Sequence, residues 1–163
     1  MKKVLFVNCC IRRDESRSLK IAKHFLNSLD KNEYEIEELC LMEEPLEYFK
    51  DSFFEQRERL IAEGKLDHPR FRYAWQFKNA DKIVIAAPFW DLSFPALLKV
   101  YIENLCVENI TFGTTENGLN GTCKADKLVF ITTRGGIYAS SHLEMGSKYI
   151  ECMCEFFGIE NYK

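Results

Sequence analysis

Three short apolar runs constrain the fold of this chain more than anything else in it: KVLFVN at Lys3–Asn8, KIVIAA at Lys82–Ala87 and KLVFIT at Lys127–Thr132. None alternates apolar with polar residues, which is the pattern of a parallel strand buried on both faces. Helical periodicity separates them. Leu19, Ala22, Phe25, Leu26 and Leu29 recur at helical spacing in Ser16–Leu29, with Ser16 or Ser18 available as the N-cap. Further helical stretches are predicted at Phe53–Gly64, Phe71–Asn79, Phe94–Leu105 and His142–Phe157. Tyr34–Leu41 (YEIEELCL) alternates apolar and acidic residues, so it is predicted to be a strand nearer the sheet edge. Strand alternating with helix predicts an α/β domain, a three-layer αβα sandwich around a parallel sheet. A length of 163 residues makes it one domain, 1–163, with one sizeable core.

Composition excludes several classes. A net charge of −3 with 29% charged residues is too little positive charge for nucleic acid to be the main partner. No apolar stretch is long enough for a membrane span, and the run at Val4–Val7 is too short for a signal peptide. The seven cysteines include the pairs Cys9-Cys10 and Cys152-Met153-Cys154 but no metal-ligand spacing, so no metal site is expected. Free, mostly buried thiols in a reducing cytoplasm are the expectation.

In an open parallel sheet the ligand site lies beyond the carboxyl ends of the strands. The loops there are NCCIRRDESRS (Asn8–Ser18), PFWDLSFP (Pro88–Pro95) and TTRGGIY (Thr132–Tyr138). The first places Arg12, Arg13, Ser16, Arg17 and Ser18 at or before a helix start, where free N–H groups, hydroxyls and guanidinium groups suit a phosphate. An N-capping serine beside solvated arginines reads the same residues equally well. The glycine-rich dinucleotide fingerprint and the P-loop are both absent. The second loop offers flat aromatic surface to a planar ligand, or a hydrophobic plug for the adjacent helix. The glycine pair of the third lets backbone approach a ligand closely, or simply turns the chain. Together, a phosphate site, an aromatic wall and a close-approaching glycine loop are what flavin mononucleotide (FMN) requires.

VNCCIRRDESRSLKIAKHFL, APFWDLSFPALLKVYIENL and TTRGGIY resemble, in order, segments of the flavodoxin-like NAD(P)H:quinone oxidoreductase and FMN-dependent azoreductase family. The resemblance implies the flavodoxin-like fold with strand order 2-1-3-4(-5). It implies an FMN phosphate at Cys10, Arg12, Ser16, Arg17 and Ser18, and an isoalloxazine ring along Pro88, Phe89, Trp90, Asp91 and Leu92. The pyrimidine end would lie by Thr133, Arg134, Gly135, Gly136 and Tyr138. It further implies hydride transfer from NADH or NADPH, two electrons passed to a quinone, azo compound or similar small-molecule acceptor, and a homodimer. Tyr138 or His142 would donate a proton to the reduced acceptor; His142 is equally readable as a helix-start residue. The chain departs from the pattern at Asp91 (usually Asn), at Leu92 (usually Phe) and at Cys9-Cys10 (often a serine-containing turn). It also ends at FFGIENYK, before the fifth strand and final helix of the pattern, which predicts a truncated domain. A single-electron flavodoxin carrier and a flavin-free binding domain are the alternatives.

Overall fold

The computed structural model describes residues 1–138 and 141–163. In chain order the elements are β1 (Lys2–Asn8), α1 (Arg17–Asn27), β2 (Tyr34–Cys40), α2 (Asp51–Ala62), α3 (Arg72–Asn79), β3 (Lys82–Ala86), α4 (Ala96–Leu105), β4 (Phe112–Thr115), β5 (Gly118–Gly121), β6 (Lys127–Ile131), α5 (Gly146–Phe157) and β7 (Asn161–Tyr162). The main sheet runs β2-β1-β3-β6-β7, every neighbouring pair parallel.

The alternation of side chains along a strand sorts the core into two layers. Leu5, Val7, Ile83, Ile85 and Leu128 face α3, α4 and α5 through Phe77, Leu98, Tyr101, Leu105, Ile150 and Phe157. Val4, Phe6, Val84 and Ala86 face α1 through Leu19, Ala22 and Leu26. The β2 strand has the exposed face its acidic alternation predicts. The one described helix on its side of the sheet, α1 leaves a groove of ≈ 530 Å³ beside it, lined by Ile21, Phe25, Val84 and Val129. All seven cysteines are free thiols. No described helix is long and apolar enough to cross a membrane, and no described cluster of His, Cys, Asp and Glu suits a metal ion.

Two expectations are corrected, and one element is added. The fifth strand is not missing: Asn161–Tyr162 pairs with Lys127–Leu128, and Lys163 continues the ladder by donating to Leu128 O at 3.1 Å. Gly158, at φ +77°, is the left-handed C-cap that turns the chain out of α5 toward that edge. Two residues carry no readable periodicity, which is why FFGIENYK did not announce a strand. The last helix starts at Gly146 rather than His142, because 141–145 turns back on the second loop, where Met145 N–H donates to Leu92 O at 3.0 Å. The β4–β5 hairpin was not foreseen, although Asn117-Gly118 is a hairpin signal and Gly118 has φ +104°.

Candidate functional site

The three loops meet at the carboxyl ends of β1, β3 and β6, and hydrogen bonds stitch them together. Asn8 closes β1: its Oδ1 accepts from Cys10 N–H at 3.0 Å, and its Nδ2 donates to Glu38 at 2.8 Å. The chain then makes a short turn in which Arg13 takes φ +49°. Ser16 caps α1, its hydroxyl accepting from Leu19 N–H at 3.3 Å. Arg17 and Ser18 are therefore the first two helical residues, whose N–H groups have no intrahelical acceptor.

Ser18 is wholly buried and joins the first loop to the third. Its Oγ accepts from Thr133 N–H at 3.2 Å and lies 3.0 Å from Thr133 Oγ1. Thr133 O in turn accepts from Phe89 N–H at 3.2 Å, which adds the second loop. A cleft of ≈ 290 Å³ opens over this seam. Arg12, Glu15, Ser16 and Arg17 form one side, Pro88, Phe89 and Trp90 another, and Thr133, Arg134 and Gly135 the third. The volume is near the lower end of small-molecule sites, ~300–1,000 Å³, so a mononucleotide would lie partly outside it.

Most of the residues expected from the sequence are brought together here, but not all. Cys10 is buried on the α1 side of the sheet with its thiol 3.5 Å from Ala86 O, so it supports the loop from beneath and does not line the cleft. Burial is the main cause that pushes this thiol's pKa up. Asp91 and Leu92 form the tip of a two-residue turn, with Trp90 and Ser93 exchanging backbone hydrogen bonds of 3.1 and 2.8 Å. Both tip residues are left-handed, at φ +49° and +67°. That is the geometry in which Asn or Asp is tolerated first and Gly second, so Asp91 in an Asn position keeps the turn. Gly136 is exposed beyond the cleft, and Tyr138 packs on Phe89 with ring centroids 5.0 Å apart. His142 is exposed in the 141–145 turn and is neither at a helix start nor on the cleft wall.

Leu92 holds a left-handed conformation at a cost of roughly 1–2 kcal/mol while its side chain stays 40% exposed. Leu92→Gly is accordingly expected to raise the unfolding free energy by about 1 kcal/mol in urea denaturation. A lower midpoint would mean that the side chain contributes more by packing than the backbone loses.

Arg134 has a partner that the sequence did not reveal. Its Nη2 lies 3.1 Å from Glu144 Oε1 and 3.1 Å from Ser147 Oγ, and Glu144 Oε1 also accepts from Ser147 N–H at 3.1 Å. Burial, the largest single influence, opposes ionisation of Glu144, but the Ser147 and Arg134 hydrogen bonds and the Arg134 charge outweigh it and hold its carboxyl below the usual range. Asp81 beside Lys124, Asp126 beside Lys82 and Glu44 beside Tyr73 are lowered as well. A carboxyl lowered on folding contributes stability above its unfolded pKa and loses it as pH falls through the folded value. The melting temperature is thus expected to be flat from pH 7 to about 5 and to fall steadily below about 4.5. A melting series across that range checks it, and an unchanged midpoint at pH 3 would show that these pairs add nothing.

A parallel sheet ordered β2-β1-β3-β6-β7, with a cleft at the point where the strand order reverses, defines the flavodoxin class of α/β proteins. The profile of the family described as flavodoxin-like fold matches residues 2–163. The chain is 40% identical to an FMN-dependent NADH:quinone oxidoreductase of Clostridium acetobutylicum, over 99% of this chain and 84% of the relative. An FMN-dependent NADH:quinone oxidoreductase of Coprothermobacter proteolyticus is 39% identical over 99% and 83%. Among solved structures, an azoreductase of Bacillus anthracis superposes with a TM-score of 0.87 at 31% identity, covering 100% of this chain and 85% of that one. An FMN-dependent NADH-azoreductase from the same species, solved in complex with FMN, gives 0.85 at 30% identity over 99% and 84%. The chain belongs to the flavodoxin-like family, in the branch that holds the FMN-dependent NADH:quinone oxidoreductases and azoreductases.

Proposed function

We propose that this chain is an FMN-dependent NADH:quinone oxidoreductase that also accepts azo compounds, with NADPH as a second donor. One observation carries the reading: the α1 N-terminus, an aromatic wall and a glycine loop share a single cleft. The donor set there fits FMN. Two uncapped helical N–H groups and the Arg17 guanidinium suit the phosphate. Phe89 and Trp90 suit a planar ring, and the buried Nε of Arg134, in the third loop, is a donor with no acceptor among the described residues.

Bound FMN would supply the two-electron chemistry, receiving hydride from NADH and passing it to the acceptor. The chain's part is to hold, orient and shield. Ser16, Arg17 and Ser18 anchor the phosphate, Ser18 through its backbone N–H, while its buried hydroxyl ties the first loop to Thr133. Pro88, Phe89, Trp90, Asp91 and Leu92 wall one face of the ring. Gly135 and the Arg134 side chain face the edge where negative charge accumulates, with Gly136 beyond the cleft. Tyr138, held on Phe89, is the side chain we assign to donate a proton to the reduced acceptor; His142 lies outside the cleft.

Trp90 on the cleft wall is exposed, as are Leu92 and Ile137 on the second and third loops and Leu143 and Met145 in the turn before α5. We assign these apolar residues to a homodimer in which a second copy closes the acceptor side. Seven unpaired thiols suit the cytoplasm. The test is to titrate FMN against the purified protein by fluorescence quenching, then mix the loaded protein anaerobically with NADH and add a quinone. Saturable quenching, flavin bleaching by NADH and recovery on quinone addition are expected. Binding without bleaching would leave an electron carrier, and no binding would leave a flavin-free domain.

A further inference from the structure

Arg134 lines the cleft, yet the charge it brings is not free. Its guanidinium, half-buried, is paired with the buried carboxylate of Glu144, 3.1 Å away. The same oxygen takes the Ser147 N–H, and Ser147 Oγ accepts from the Arg134 nitrogen that reaches Glu144. Glu144 is thereby locked at the start of α5, next to Met145, which is hydrogen-bonded to the tip of the second loop. The guanidinium carbon also lies 5.5 Å from the Phe89 ring centroid, so the pair is wedged between the aromatic wall and α5. A carboxylate this buried is retained against a desolvation cost that an apolar residue would not carry.

We infer that Glu144 is a positioning residue that neutralises and orients Arg134, and so holds down the reduction potential of the flavin in the cleft. The inference rests on the FMN reading above. Reduction adds two electrons and one proton to the ring, a net gain of one negative charge. A free Arg134 cation at the cleft wall would favour that charge; a neutral Arg134–Glu144 pair favours it less. Glu144 therefore keeps the reduced cofactor a stronger donor to acceptors.

The experiment compares FMN-loaded wild type with Glu144→Gln, Arg134→Gln, the double variant and Glu144→Asp. Two quantities are read: the dissociation constant of oxidised FMN and the two-electron midpoint potential. Glu144→Gln keeps an acceptor for Ser147 N–H and Arg134 but removes the charge. It is expected to favour reduced over oxidised FMN about tenfold more than wild type does, an upward shift of about 30 mV for a two-electron couple. Arg134→Gln should shift the potential downward, Glu144→Asp should leave it near wild type, and the double variant should fall between the two singles. Unchanged potential in Glu144→Gln, or shifts of the same sign in both single variants, would overturn the inference. Should Glu144→Gln lose FMN altogether, the other two single variants decide: anything but a downward shift in Arg134→Gln and none in Glu144→Asp overturns it. Failure of wild type itself to bind FMN overturns the FMN reading instead.

Discussion

Gly121→Ala is expected to destabilise the protein by about 3 kcal/mol or more, the upper range for overpacking. A Cβ placed on Gly121 would lie 2.0 Å from Gly158 N and 2.1 Å from Phe157 C. These are backbone atoms, so no rotamer change relieves the overlap. The opposing position is no more forgiving, because a Cβ on Gly158 would lie 2.8 Å from Gly121 O and Gly158 holds φ +77°. The close approach has a purpose: Cys123 N–H donates to Phe157 O at 3.1 Å, fastening the end of the hairpin to the C-terminal turn of α5. Phe112 and Phe156, 4.8 Å apart, pack across the same contact. Loosening it would shift α5, and with it Ser147 and the Arg134–Glu144 pair at the other end of that helix. Urea denaturation checks this, with Gly113→Ala as control, since its added Cβ meets nothing within 4 Å. Equal midpoints for the two variants would refute the argument.

Arg17→Ala is expected to weaken FMN binding by about 10- to 100-fold, the loss of one charge-assisted hydrogen bond of roughly 1.5–3 kcal/mol. Three arginines line the cleft, and two are already paired. Arg12 lies 3.1 Å from Glu15, and Arg134 lies 3.1 Å from Glu144. Arg17, exposed at the first position of α1, has no described carboxylate within 4 Å. Its charge adds to the uncapped N–H groups at the same helix end. Arg12→Ala should cost less, because Glu15 already engages the Arg12 guanidinium and leaves it fewer free donors for a phosphate. Riboflavin, which lacks the phosphate, should bind wild type and Arg17→Ala alike. An equal loss for both ligands would mean that Arg17 acts on the ring or on loop structure, and an unchanged FMN affinity would remove it from the phosphate site.

Much of this site was legible along the chain because its elements are local. Lys3–Asn8, Lys82–Ala87 and Lys127–Thr132 are buried on both faces, so their composition is unambiguous, and the loops that follow such strands must gather at one edge. Ser16 was readable as a cap because capping joins residues three apart. Cys10 could not be sorted the same way. Whether its side chain faces the cleft or the α1 layer depends on the path of a loop that turns through a left-handed Arg13.

Residue order and side-chain chemistry alone determined that this is a parallel α/β domain with a serine- and arginine-rich loop, an aromatic loop and a glycine loop after three of its buried strands. Local periodicity and turn chemistry are properties of neighbours in sequence, and they survive without a partner. Only the tertiary structure decided the rest. Ser18 meets Thr133 across 115 positions of sequence. Asp91 and Leu92 must be left-handed because Trp90 and Ser93 pair. A two-residue strand completes the sheet because β6 offers it an edge. Glu144 takes up the charge of Arg134 because the turn before α5 folds back on the second loop. Each of these depends on a partner brought close by packing, and the identity of that partner is written in no local stretch of the chain.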